Sequence, residues 1–186
     1  MSDTSPNQWF KMEERFFSEV DQKLVENLRA KMEVTERADA IKRVTGIKDD
    51  ALASAIASKK ISVETLSAFR LVPLVAVAWA DERLDDNERT AVLQAAKKSG
   101  IEESEPAGKL LAGWLQNRPS NELFETWVEY ARSLSGSLTG DLKAQLQREV
   151  SQQVREVAEA AGGFLGVASI SSNEKALIQR IEQALS

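Results

Sequence analysis

The sequence predicts an all-α protein, a helical bundle of about seven to nine helices with a long helix at its N-terminus. Three observations carry that expectation. Gly and Pro are scarce, at 9 and 4 of 186 residues, while the good helix formers Ala, Leu, Glu, Gln, Lys and Arg are plentiful. Apolar residues recur at three- and four-residue spacing through most of the chain. No segment sustains the period-two alternation of β-branched residues that marks a half-buried strand. The hydrophobic fraction of 42% is ample for a core at this length, so one domain, or a domain with an arm, is expected.

Taken in order, Ser5-Pro6 reads as an N-cap followed by proline at the first helical position. Behind it Phe10, Phe17, Val20, Leu24, Leu28 and Met32 fall at helical spacing, and Thr35 or Ala38 opens a continuation ending at Gly46. The favoured reading packs this apolar stripe on the body. The alternative is a protruding arm that docks on a partner or on a second copy. Asp49-Asp50 caps a short helix through Ser58, and Ser62 caps the next, with Leu66 and Phe69 inward. Pro73 pushes its predecessor out of the helical region, which places a break near Leu71-Val72. From there the chain is apolar nearly all round through Trp79, as a central helix is.

Asp85 with Glu88 has the form of a capping box, and its helix carries Val92 and Ala95 inward before Lys97-Lys98 and Gly100. A further helix with Leu110, Leu111, Trp114 and Leu115 ends before Arg118-Pro119. Ser120 caps one carrying Leu123, Trp127 and Tyr130, and Ser133 to Gly140 reads as a loop. Asp141 starts a long helix to Ala161, closed by Gly162-Gly163. Ser171-Ser172-Asn173-Glu174 is a second capping box, and the last helix runs from it to the C-terminus. Trp79, Trp114 and Trp127 lie on apolar stripes and read as core.

Composition narrows the function. There is no Cys and no His, which removes disulfides, zinc fingers, thiol nucleophiles and Ser-His-Asp triads from this chain. The commonest general base is missing, so a binding protein rather than an enzyme is expected. A net charge of −5 opposes the cationic face that nucleic acid needs. The longest apolar run, Leu71 to Ala80, is far short of the roughly 20 residues of a membrane span. Met1 to Asn7 lacks the layout of a signal peptide. A cytoplasmic protein without a transmembrane segment is expected, with peripheral membrane association left open.

Asp81, Glu82, Asp85, Asp86 and Glu88 put five carboxylates within eight residues. Hard cations take several oxygens from one compact loop, so Asp81, Asp85 and Glu88 are candidate ligands of a divalent cation. The competing reading is a solvated acidic loop beside a capped helix. Two passages also share a layout: Val77 to Glu88, and Val157 to Glu174. Each ends a helix, then sets an aliphatic residue (Leu84, Ile170) just before the next capping box. Convergent capping chemistry accounts for this, and so does a duplicated pair of helix-loop-helix units facing each other.

The segment Val75-Ala76-Val77-Ala78-Trp79-Ala80-Asp81-Glu82-Arg83-Leu84-Asp85-Asp86-Asn87-Glu88-Arg89, with Val92 and Leu93, resembles the signature of the tellurite-resistance TerB family. There an apolar helix ends in Ala-Asp-Gly, an aliphatic residue follows, and a later acid opens the next helix. The resemblance is clearest over residues 66–186. It implies a helical bundle of two pseudo-repeated helix-loop-helix halves, and an adaptor role linked to tellurite or stress resistance. It also implies that Asp81, with Asp85 or Glu88, binds metal. Glu82 stands where the family has glycine, and Gly162-Gly163 replaces the second acidic pair. The chain thus divides into an N-terminal helical arm, 1–60, and a TerB-like helical domain, 61–186. Phe164 and Leu165, in the loop after the long helix, are candidate partner contacts. The alternative function is structural: an assembly protein that self-associates through its N-terminal amphipathic helix.

Overall fold

A computed structural model of the protein describes residues 6–161 and 170–186, with backbone alone at 6–11, 13, 14, 16, 17 and 161. The described residues form nine α-helices and one 3-10 turn, with no strand among them. The all-α expectation holds. The helices are α1 (Pro6–Thr45), α2 (Asp50–Ser58), α3 (Leu66–Arg70), α4 (Val72–Ala78) and α5 (Asp86–Lys98). They continue with α6 (Pro106–Gln116), α7 (Asn121–Ser137), α8 (Gly140–Ala161) and α9 (Ser172–Leu185).

α4 is the centre. Val72, Leu74, Val75, Val77 and Ala78 are all buried, and α3, α5, α7, α8 and α9 pack around it. A helix apolar on every side can only be stable there. The chain breaks at Leu71, as Pro73 requires, and α4 begins at Val72 with proline in its first turn. Asp49 caps α2, its Oδ1 accepting from the Ala51 and Leu52 amides at 2.8 and 3.1 Å. Gly46 and Gly100 close α1 and α5 with φ of 73° and 75°, a conformation that a side chain would strain.

Three local expectations are corrected. α7 runs on through Ser133–Ser137 where a loop was expected. Its last turns are worth keeping helical because Ser135, 2% exposed, donates its hydroxyl to the Leu185 carbonyl at 2.7 Å. Ser120 does sit at the N-cap of α7, but its side chain makes no capping bond. α1 is one uninterrupted helix of 40 residues with no new start at Thr35 or Ala38.

The larger correction concerns α1. From Val20 to Met32 its stripe does not pack on the body, while the side chains of Phe10 and Phe17 lie outside the described residues. Residues 18–33 are all exposed, and Met12, Val20, Leu24, Val25, Leu28 and Met32 are each 43–66% exposed. Burial begins only at Val34, after which Ala38 and Ile41 join Leu52, Ala53 and Ile56 of α2 in the common core. The arm expected over 1–60 therefore divides into a free part, ending near residue 33, and an anchored part. Good helix formers and i,i+4 ion pairs such as Arg15–Glu19 at 3.2 Å and Glu33–Arg37 at 3.5 Å support the free part as a helix.

Candidate functional site

The acidic loop is held from both ends. Where α4 stops, the half-buried Trp79 donates its indole N–H to the Trp114 carbonyl at 2.9 Å, pinning the loop's start to α6. The chain turns through Glu82, whose amide reaches the Trp79 carbonyl at 3.1 Å and whose φ is 63°. That is the left-handed turn for which the resemblance calls for glycine. Asp85 then caps α5: its Oδ1 accepts from the Asn87 amide at 2.7 Å, and Glu88 Oε2 accepts from the Asp85 amide at 2.9 Å. The box expected from Asp85 and Glu88 is present.

The second box stands against the first. Ser171 Oγ accepts from the Glu174 amide at 3.2 Å, and Glu174 Oε2 accepts from the Ser171 amide at 2.6 Å. The same Ser171 hydroxyl donates to Asp81 Oδ1 at 3.2 Å, and Asn173 Nδ2 donates to that oxygen at 3.1 Å. Asp81 is thus the tie between the two loops. The local role of Ser171, Asn173 and Glu174 was legible in their capping spacing. Their approach to Asp81 had no signal beyond the shared layout of the two passages.

The electrostatics at the junction are unusual. Glu88 and Glu174 are 5% and 4% exposed, although carboxylates seldom go so deep unpaired. Burial pushes the Glu88 carboxyl up to about 7, the Asp85 amide opposes that, and the charges of Glu174, Asp85 and Asp81 add to it. Glu174 Oε1 is buried and has no hydrogen-bond partner among the described residues.

Of the metal candidates, Asp81 and Asp85 are exposed and Glu88 is buried. Among the described residues no group of three or more acidic side chains is placed to hold one metal ion. Much of their oxygen capacity goes to amides and to the cross-loop bonds. Phe164 and Leu165 lie outside the described residues. No helix among the described residues is long and apolar enough to cross a membrane.

The other candidate surface is the free part of α1. Val20, Leu24, Leu28 and Met32 stand four residues apart and form a ridge of the kind that packs into a helical groove. Comparison with protein-family models, with curated proteins and with solved structures found no match to this chain.

Proposed function

We propose that the protein is a non-catalytic binding and assembly module that engages a helical partner, first of all another copy of itself, through the free part of α1. One observation carries this: a ridge of Val20, Leu24, Leu28 and Met32, 43–63% exposed, on a helix segment that no other described residue of the body covers. Apolar residues in a row at helical spacing are the form in which an amphipathic helix meets a helical partner. Analytical ultracentrifugation of the full chain over a hundredfold range of concentration tests it. A mass that rises with concentration, and falls to that of the monomer in Leu24→Glu/Leu28→Glu, supports the reading. A monomer at every concentration overturns it.

The body is read as TerB-like, an adaptor of the tellurite or stress-resistance kind. The facing capping boxes support that reading, with Asp81 between them. A divalent cation at Asp81, Asp85 and Glu88 belongs to the same reading and rests on the resemblance alone, since these side chains are not grouped to hold one ion among the described residues. Calorimetric titration of metal-stripped protein with Ca²⁺, Mg²⁺ and Zn²⁺, repeated on Asp81→Ala/Asp85→Ala, decides the matter. Saturable binding lost in the variant supports it, and no binding leaves these carboxylates as caps and ties.

A further inference from the structure

We draw no further inference here: the strongest candidate, the buried pair Glu88 and Glu174 between the loop before α5 and the first turn of α9, belongs to the candidate site already described, and nothing among the described residues shows what would reach the unpartnered Glu174 Oε1.

Discussion

The side-chain amide of Asn173 donates to the Asp81 carboxylate at 3.1 Å, joining the loop before α5 to the first turn of α9 across 92 residues of sequence. The Ser171 hydroxyl shares the same oxygen at 3.2 Å. Both bonds have a charged acceptor, which strengthens them, but water competes at this exposed position. Asp81→Ala is expected to cost about 1 kcal/mol in urea denaturation. A double-mutant cycle with Asn173→Ala should return a coupling of about 0.5 kcal/mol or more. Strict additivity would mean that the bond does not form in solution.

Glu88 is expected to lower the protein's stability as pH rises toward neutrality, opposite to the usual carboxylate. Its carboxyl is raised from the ordinary 4.5 to about 7, chiefly by burial. Between those values the folded protein holds a proton that the unfolded chain has released. Its contribution is therefore fully present below about pH 4.5 and is lost as pH rises through about 7, on the order of 2–3 kcal/mol. Glu88→Gln keeps an oxygen to accept from the Asp85 amide and carries no charge. It is expected to match the parent near pH 5 and to exceed it by about 1–2 kcal/mol at pH 8. Denaturation curves at pH 5, 6, 7 and 8 check this; parallel pH profiles for the two proteins would refute it.

Glu82 adopts φ of 63°, where a side chain meets the backbone carbonyl. Its carboxylate lies 3.8 Å from Arg118, but both groups are exposed and such pairs contribute little. Glu82→Gly trades about 1–2 kcal/mol of backbone strain for a smaller gain in unfolded-state entropy, so the variant should be more stable by about 0.5–1 kcal/mol. Thermal unfolding would register this as a rise of roughly 1–4 °C. An unchanged or lower midpoint would show that the loop is relaxed as it stands.

What could be read from the sequence was local. Asp49, Asp85 with Glu88, and Ser171 with Glu174 announce their helices because the capping bonds close within three residues. Ser120 has the same look and makes no side-chain bond, so residue type alone does not decide the cap. The turn through Ser133–Ser137 stays helical through a partner 50 residues on, the Leu185 carbonyl, which no window could show. The capping spacing told what Glu88 and Glu174 would bond, not that their two loops would meet and leave both acids dry. An apolar stripe at helical spacing likewise says that α1 is a helix, and nothing of what its ridge touches.

The same helix therefore carries two kinds of apolar residue, and substitution should separate them. Ile41 is fully buried where α1 meets α2, whereas Leu28, thirteen residues earlier, is 52% exposed. Ile41→Ala removes packed methylenes and leaves a cavity, so it should destabilise the fold by about 2–5 kcal/mol at any protein concentration. Leu28→Ala should change the stability of the dilute chain by no more than about 0.5 kcal/mol. Its cost should appear only as concentration rises, because it removes a contact made between chains. Urea denaturation of both variants at low and high micromolar concentration makes the comparison. A large, concentration-independent loss in Leu28→Ala would place the ridge against its own body and remove the ground for assembly through the arm.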